Sequence, residues 1–387
     1  MSVTAARGFV AAGVHAGIRR SSPDLAVVRS TEPAVGAAMF TKNRVQAAPL
    51  LVSRAHLAEA SPQAVVINAG VANAATGARG ELDALATASE AARLLDLQTE
   101  EVLVLSTGVI GARLPLDRVL GGLKRVAPQL SPDGGAAAAH AILTTDTGPK
   151  QAAVTGDGFV VGGMAKGAGM IHPALATMLA VVTTDYPLAA DEVDGFLRPA
   201  VEESFNRISV DGECSTNDAV VLLANGASGV ARTREADAAF GEALHEVCAT
   251  LAAQIVADGE GSTVLLEISV EGAASDGEAT AIARRIATSP LVKTAAFGRD
   301  ANWGRVLAAA GSATWNGGFA ELDPGRLALA FNGTTVFTRG GPVGAEPDLA
   351  GTVCRIDLDL GLGEGAASYL ASDLTYDYVR INADYRT

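Results

Sequence analysis

A threonine hydroxyl is the side chain in this sequence with the clearest setting for chemistry. Thr177 lies in "KGAGMIHPALATMLAVVTTD" (166–185), between the small residue Ala176 and an apolar run. A threonine hydroxyl needs an adjacent base to act as a nucleophile. Cleavage of the peptide bond before Thr177 would supply that base, because a free α-amino group has a pKa of about 8. The segment therefore indicates either a self-activated nucleophile or an ordinary threonine at the start of a strand.

Other polar residues follow or connect predicted strands. In "STGVIG" (106–111), the Thr107 hydroxyl and the Gly108 amide could donate hydrogen bonds to a developing oxyanion. On pattern alone, an ordinary polar strand end explains these two residues as well. Two further stretches can be interpreted as hydrogen-bonded turns, namely Thr144, Thr145 and Asp146 in "LTTDTGPK", and Asn217 and Asp218 in "ECSTND".

Several familiar catalytic and binding motifs are missing from the sequence. It contains no Walker A loop, H-E-x-x-H, C-x-x-C or G-x-S-x-G pattern. The glycine-rich "VGGMAKGAG" lacks the spacing of a dinucleotide loop, which leaves nucleotide binding as the weaker interpretation. The five histidines have no ligand spacing. We therefore expect catalysis without a metal and without histidine.

The elements that must position these residues follow from apolar patterning. Short apolar runs bounded by glycine, asparagine or aspartate predict buried strands at 64–70, 101–108, 178–185, 218–226 and 263–272. A strand with one face in water is predicted near the C-terminus, where charged residues alternate with Cys354, Ile356, Leu358 and Leu360.

Amphipathic helices are predicted between the strands. One apolar face comprises Leu82, Leu85, Ala88, Ala92 and Leu95, and another comprises Phe240, Leu244, Val247, Leu251 and Ile255. Gly259 and Gly261 should stop the second helix, which places Glu260 just beyond its end. Because strands and helices are interspersed, the predicted class is mixed α/β with layered sheets and helices.

Composition limits the partners and the compartment. The 387 residues suffice for two domains, and the net charge of -14 argues against nucleic-acid or anionic-membrane partners. An anionic ligand would need local cations, for which the candidates are Lys166, Arg207, Arg299 and Arg305. Three cysteines without paired spacing, no signal peptide and no apolar run of about 18 residues indicate a cytoplasmic protein.

The motifs taken together resemble the self-cleaving ornithine acetyltransferases, also called glutamate N-acetyltransferases, of arginine biosynthesis. The blocks that carry the resemblance are "AAMFTKNRVQAAP", "STGVIG", "TTDTGPK", "GGMAKGAGMIHPALATMLAVVTTD", "CSTND", "DGEG", "LVKTA", "DANWGRV" and "YVRINADYRT". They occur in family order along effectively the whole chain. Members often carry Asn-Met where this chain has Ala174 and Leu175, a departure that leaves the Ala-Thr pair intact.

The resemblance implies a fold and a self-processing step. The fold would be an αββα layered sandwich with a smaller second domain. Thr177 would attack the carbonyl of Ala176, and hydrolysis of the resulting ester would leave an α chain (1–176) and a β chain (177–387). Both chains would share the large sandwich domain, and two αβ pairs would form a heterotetramer.

The resemblance also implies roles in turnover. The Thr177 hydroxyl would take the acetyl group from N2-acetyl-L-ornithine and pass it to L-glutamate in a ping-pong mechanism. Thr107 and Gly108 match the oxyanion pair of the family. The positions that match its substrate contacts are Thr144, Lys166, Thr177, Glu260, Asn382 and Thr387, with Thr145 as the alternative to Thr144. No cofactor is implied, and it stays open whether acetyl-CoA is a second donor that would make the enzyme bifunctional.

Two other interpretations remain open at this level. A related self-processing amidase or aminopeptidase would use water in place of glutamate. A non-catalytic amino-acid-binding protein would keep the fold and never cleave itself. An acetyl-transfer assay with and without glutamate distinguishes the first from the transferase, and an uncut chain on a denaturing gel would identify the second.

Overall fold

The computed structural model describes residues 2–172 and 178–384, which form two compact units. The first unit contains residues 2–206 and 214–255, and the second contains 207–213 and 256–384. The first unit therefore draws on sequence before and after position 176. Ala176, Thr177 and Thr387 lie outside the described residues.

Two sheets form the centre of the first unit. Their strands are β1 (Phe9–Val14), β2 (Leu25–Ser30), β3 (Val35–Phe40), β4 (Ala64–Val71), β5 (Val102–Val109), β6 (Lys150–Thr155), β7 (Val160–Lys166), β8 (Leu179–Thr184) and β10 (Ala219–Ala224). The four-stranded sheet has the order β1-β2-β4-β5, and the five-stranded sheet has the order β3-β10-β8-β7-β6. β4 pairs with β5 in parallel, as β8 does with β10.

Helices pack against these two sheets. The helices are α1 (Ala48–Glu59), α2 (Gly77–Leu95), α3 (Leu116–Val126), α4 (Gly135–Ala141), α5 (Val193–Glu202) and α6 (Arg234–Ala257). The inner faces share one core, in which Ile67 and Leu105 lie with Val181 and Val221, and to which α1 and α4 contribute. Buried residues of α2 and α3 pack on the opposite face of the four-stranded sheet. On the five-stranded sheet, a side chain at Gly163 would meet α6, so the layers run helix, sheet, sheet, helix.

The predicted apolar face is confirmed in one long helix and partly wrong in the other. All five residues predicted for the apolar face of α6 are fully buried, which confirms that face. In α2 the prediction was wrong for Leu82 and Leu85, which are 59% and 44% exposed. The buried face is lined by small residues such as Ala84, Ala88 and Ala91. Alanine lets the helix approach the sheet closely, so the leucines on the neighbouring face are left in water.

The second unit is built on one mixed sheet. Its strands are β9 (Ile208–Ser209), β11 (Leu265–Ala273), β14 (Ala328–Phe331), β15 (Thr334–Thr338), β16 (Gly341–Pro342), β17 (Val353–Asp359) and β18 (Gly365–Ser372), in the order β16-β15-β14-β17-β11-β18-β9. A separate hairpin pairs β12 (Thr314–Trp315) with β13 (Gly318–Phe319). The helices are α7 (Asp276–Ala287), α8 (Pro290–Phe297), α9 (Trp303–Ala310) and α10 (Tyr376–Asp384).

The two faces of this sheet differ in burial. Alternate residues of β17 are buried and exposed, which confirms the strand with one wet face. The buried face packs with residues of α7, α8 and α9 in one apolar cluster. Across residues 2–172 and 178–384, none of the helices is both long enough and apolar enough to cross a membrane.

Candidate active site

Thr107 and Gly108 lie at the carboxyl end of β5, as the sequence predicted. The parallel register of β4 and β5 places Gly108 beside Gly70. Gly108 has a φ of +129°, and a Cβ there would lie only 2.2 Å from the carbonyl carbon of Gly70. Only glycine tolerates this combination of conformation and contact. The strand end thus presents a hydroxyl and a backbone amide on consecutive residues, the donor types that stabilise an oxyanion.

Lys166 ends β7 and is buried within the first unit. Its Nζ donates a hydrogen bond to Oγ1 of Thr144, with 2.7 Å between the two atoms. The sequence left Thr144 and Thr145 as alternatives, and the hydroxyl that contacts the ammonium group is that of Thr144. A buried ammonium beside a hydroxyl can bind the carboxylate of an amino acid by charge-assisted hydrogen bonds.

Asp146 holds this pair in place. Its Oδ1 lies 2.7 Å from Nζ of Lys150, and its Oδ2 lies 3.8 Å from Nζ of Lys166. It also accepts hydrogen bonds from the backbone amides of Thr144 (2.9 Å) and Gly167 (2.6 Å). Burial opposes ionisation, but the two lysines and these bonds hold the pKa of Asp146 well below its usual value. The ionised carboxylate therefore fixes the position of Lys166 before any substrate arrives.

Arg19 connects the Thr144 loop to the end of the four-stranded sheet. Its guanidinium donates to the carbonyl oxygens of Leu143 (2.8 Å) and Thr144 (3.3 Å). The stem of Arg19 lies across Gly70, where a Cβ would come within 2.9 Å of Arg19 Cγ. Because Gly70 is the register partner of Gly108, Arg19 links the candidate oxyanion donors to the Thr144 and Lys166 pair.

Asn217 and Asp218 are buried, and each bonds to a different sheet of the first unit. Nδ2 of Asn217 donates to the carbonyls of Ala72 (2.6 Å) and Ser106 (2.8 Å). Oδ1 of Asp218 accepts from the amide of Met178 at 3.1 Å. Burial raises the pKa of Asp218 well above its usual value, although the hydrogen bond from the Met178 amide lowers it in part. These residues therefore do more than form the polar turn that the sequence suggested.

Little in the local sequence pattern indicates these supporting residues. Asp146 and Lys150 have the i, i+4 spacing of an ion pair, which is the one signal that could have been used. Asn217 and Asp218 have partners at least 40 residues away in the chain, and Arg19 has partners more than 120 residues away. Such pairings depend on the sheet arrangement and leave no local pattern.

Glu260 and Asn382 meet in the second unit. Nδ2 of Asn382 donates to Oε2 of Glu260 at 2.8 Å and to the carbonyl of Tyr378 at 3.1 Å. Gly261, with a φ of +68°, lets the turn after α6 approach α10, because a Cβ there would lie 2.6 Å from the Tyr378 amide. A carboxylate and an amide side by side suit an ammonium ligand.

Two of the arginines considered as ligand cations have structural partners in this unit. The Arg299 guanidinium bonds to the carbonyls of Leu349 and Gly351, and that of Arg305 bonds to the carbonyl of Leu291. Of the four candidate cations, Lys166 is the one with a contact to another predicted site residue within the described part of the chain.

The weaker interpretation of the glycine-rich segment finds no support. Gly162 and Gly163 lie inside β7, where a side chain would collide with the Ser2 carbonyl or with Leu251. These glycines serve close packing in a strand and do not form a phosphate-binding loop. Among the residues that the structure describes, no group of three or more histidine, cysteine, aspartate or glutamate side chains could hold a metal ion.

Comparison with known proteins identifies the family. The model of the ArgJ family matches residues 10–387. The "Arginine biosynthesis bifunctional protein ArgJ" of Streptomyces coelicolor is 48% identical over 390 residues, which cover all of both chains. The protein of the same name from Mycolicibacterium paratuberculosis is 49% identical over 395 residues, covering 99% of this chain and 96% of that one.

A solved structure is also similar. It is the ornithine acetyltransferase of Mycobacterium tuberculosis complexed with ornithine, whose sequence is 46% identical to this one. The match covers 44% of this chain and 94% of that chain, with a TM-score of 0.43. The family assignment depends on the sequence matches, which extend over nearly the whole chain at close to half identity. This chain belongs to the ArgJ family.

Proposed function

We propose that this protein transfers the acetyl group of N2-acetyl-L-ornithine to L-glutamate, giving L-ornithine and N-acetyl-L-glutamate. The observation that carries the proposal is the ArgJ family match over residues 10–387, together with relatives close to half identical over their full length. The buried Lys166 and Thr144 pair supports it, because an amino-acid carboxylate needs such a local cation on a chain of net charge -14.

The catalyst would form by self-cleavage between Ala176 and Thr177. The Thr177 hydroxyl attacks the Ala176 carbonyl, the C–N bond breaks, and the nitrogen takes up a proton. Water then hydrolyses the ester, which leaves a carboxylate on Ala176 and a free amino group on Thr177. The products are the α chain (1–176) and the β chain (177–387).

Turnover would proceed in two half-reactions. The amino group of Thr177 takes the proton from its own hydroxyl, and the oxygen attacks the acetyl carbonyl. Thr107 and Gly108 donate hydrogen bonds to the oxyanion, and ornithine leaves with the proton on its amine. The amine of glutamate then attacks the threonine ester, and the hydroxyl of Thr177 is regenerated.

The remaining assignments concern substrate recognition. Lys166 and Thr144 would bind the α-carboxylate common to both amino acids. Glu260 would pair with the side-chain ammonium of ornithine, assisted by Asn382, which already bonds to its carboxylate. Thr387 is proposed as a further substrate contact by family resemblance.

We also propose assembly, compartment and donor range on the same grounds. Two α and two β chains would form the active heterotetramer, and native mass spectrometry measures this subunit composition. The chain would work in the cytoplasm, and three cysteines without a disulfide, Cys214, Cys248 and Cys354, fit a reducing compartment. No cofactor is needed for the proposed chemistry. Acetyl-CoA is a candidate alternative donor, and the relatives are named bifunctional.

The decisive experiment uses purified protein with acetylornithine as the donor. We expect the release of ornithine to require glutamate and to be matched by N-acetylglutamate in equal amount. Ornithine release at the same rate without glutamate would instead assign a hydrolase. A single full-length band in active protein would rule out the self-cleaved catalyst.

A further inference from the structure

Met178 is the residue that follows Thr177 in the chain, and both of its backbone groups have identified partners. Its amide donates to Oδ1 of Asp218 at 3.1 Å. Its carbonyl accepts from the amide of Ala219 at 3.2 Å. Met178 is the next residue after the proposed nucleophile, so Asp218 holds the chain immediately after that position.

Asn217, which precedes Asp218, forms hydrogen bonds with the four-stranded sheet. Its two amide hydrogens are donated to the carbonyls of Ala72 (2.6 Å) and Ser106 (2.8 Å). Its Oδ1 accepts from the hydroxyl of Thr216 at 2.6 Å. The amide group therefore has little freedom to rotate. Ser106 is the residue before Thr107, so Asn217 fixes the strand end that carries the proposed oxyanion donors.

The two sheets have no strand in common among the described residues. Met178 precedes β8 in the five-stranded sheet, whereas Ser106 lies in β5 of the four-stranded sheet. No strand pairing within the described ranges joins these two points. They are connected by side-chain contacts and by the backbone bonds that the start of α1 makes to Thr216 and Asn73. Consecutive residues have Cα atoms about 3.8 Å apart, and Asn217 and Asp218 thus form a short, buried bridge between them.

We propose that Asn217 and Asp218 are positioning residues that hold Met178, the neighbour of the proposed nucleophile in the chain, in a fixed position relative to the strand end bearing Thr107 and Gly108. The inference rests on the proposed function. It predicts that the acceptor at Asp218 and the two donors at Asn217 control the rate of self-cleavage, and later the rate of acetyl transfer, without contributing to substrate affinity.

The test uses full-length protein made by cell-free translation with a short radiolabel pulse, followed by a chase on denaturing gels. Asp218→Asn keeps an oxygen acceptor for the Met178 amide, so we expect cleavage within about threefold of wild type. Asp218→Leu is similar in size and has no acceptor, so we expect cleavage to slow by at least tenfold. Asn217→Ser removes the two amide donors with little steric disturbance and should also slow cleavage by at least tenfold.

Asp185 provides the matched control. It is fully buried, follows the opposite end of β8, and accepts a backbone hydrogen bond from Val160 at 2.7 Å. Asp185→Leu should lower the melting temperature as Asp218→Leu does, while the folded fraction cleaves at the wild-type rate. In the cleaved fractions of Asp218→Leu and Asn217→Ser, we expect kcat to fall and KM for acetylornithine to stay constant.

The outcomes separate this inference from the proposed function. If wild-type chain is not cut between residues 176 and 177, the proposed function fails with it. If the wild type is cut and Asp218→Leu and Asn217→Ser are cut at the same rate, only the positioning role is overturned. Equal slowing by Asp185→Leu would likewise overturn it, because the effect would then reflect stability alone.

Discussion

The ammonium group of Lys166 donates a hydrogen bond to the hydroxyl of Thr144 across 22 residues of sequence, with 2.7 Å between Nζ and Oγ1. Both groups are also held by Asp146, whose carboxylate binds the Thr144 amide and faces the ammonium. The first unit therefore brings together the lysine and the threonine that are proposed to bind the substrate carboxylate.

Replacement of Lys166 by methionine should weaken substrate binding more than chemistry. A charge-assisted hydrogen bond is worth roughly 1.5–3 kcal/mol, so we expect KM for acetylornithine to rise at least about tenfold while kcat changes less. Steady-state kinetics measures both constants. Lys150→Met is the matched control, because it removes the other ammonium on the same carboxylate. A comparable rise in KM for Lys150→Met would contradict a specific role for Lys166.

Replacement of Thr177 by alanine should abolish both self-cleavage and acetyl transfer, because one hydroxyl serves both reactions in the proposed mechanism. Intact-mass spectrometry and the glutamate-dependent assay measure the two activities. Thr177→Ser is the control and should retain both at reduced rates, since it keeps a hydroxyl and can expose an amino group. An alanine variant that is cleaved and active would remove Thr177 from the mechanism.

Replacement of Asp146 by asparagine should destabilise the first unit in a pH-dependent manner. Breaking a buried ion pair costs about 3 kcal/mol, so urea unfolding at pH 7 should show a loss of that order. The pKa of Asp146 is lowered by folding, so its stabilisation is present above the unfolded pKa of about 4 and is lost as the pH falls below it. The difference in the free energy of unfolding between the variant and the wild type should therefore become smaller between pH 5 and pH 3.

The control for this prediction is Asp157→Asn, an exposed aspartate in the turn between β6 and β7. It should change the free energy of unfolding by less than about 0.5 kcal/mol at any of these pH values. A gap for Asp146→Asn that stays constant down to pH 3 would show that its carboxylate is not preferentially ionised in the folded chain.

Replacement of Gly108 by alanine should displace the backbone amide that is the proposed oxyanion donor. The new Cβ would collide with Gly70, and the positive φ would be strained, so the strand end must shift. Loss of one oxyanion donor lowers kcat by about 100-fold or more. Gly111→Ala is the control, because Gly111 also has a positive φ but open space around it. Equal kcat values for the two variants, each confirmed as folded, would exclude Gly108 from the oxyanion site.

Lys293 in α8 should make the stability of the protein rise with pH above pH 8. Burial lowers its pKa to about 8, although Asp373 and Asp211 lie nearby, and its Nζ donates to the Ser372 carbonyl. The unfolded chain then binds more protons than the folded chain between pH 8 and about 10.4, so stability increases with pH over that range. We expect Lys293→Met to remove about 2 kcal/mol of this increase between pH 8 and pH 10.

Urea unfolding at the two pH values measures that difference. Lys124→Met, at an exposed position on α3, should leave the pH dependence unchanged. The same slope in wild type and Lys293→Met would show that Lys293 stays charged when buried.

The strands around the site were predictable because burial on both sides of a sheet demands a continuous apolar run, which is visible locally. β4, β5, β8 and β10 all appear within about two residues of the predicted bounds. β11 does too, although its burial alternates along the strand. The buried face of α2 was not predictable. Periodicity identifies large apolar residues, whereas alanines make the closer contact with the sheet.

The candidate site also contains residues that were predictable from the sequence and residues that were not. Local pattern and family resemblance together pointed to Thr107, Gly108, Thr144, Lys166, Glu260 and Asn382, because each belongs to a short motif. Arg19, Asp146, Asn217 and Asp218 act through contacts whose partners the motifs do not contain.

By itself, the sequence determined the family, the strand positions and the residue types available for acyl transfer, because these depend on local patterning and on motifs in order. The tertiary structure decided which polar groups are buried together. Sheet register and packing bring Asp146 to Lys166, and Asn217 to Ser106. Burial then forces each of these groups to find a partner, and it is this requirement that turns scattered polar residues into a site.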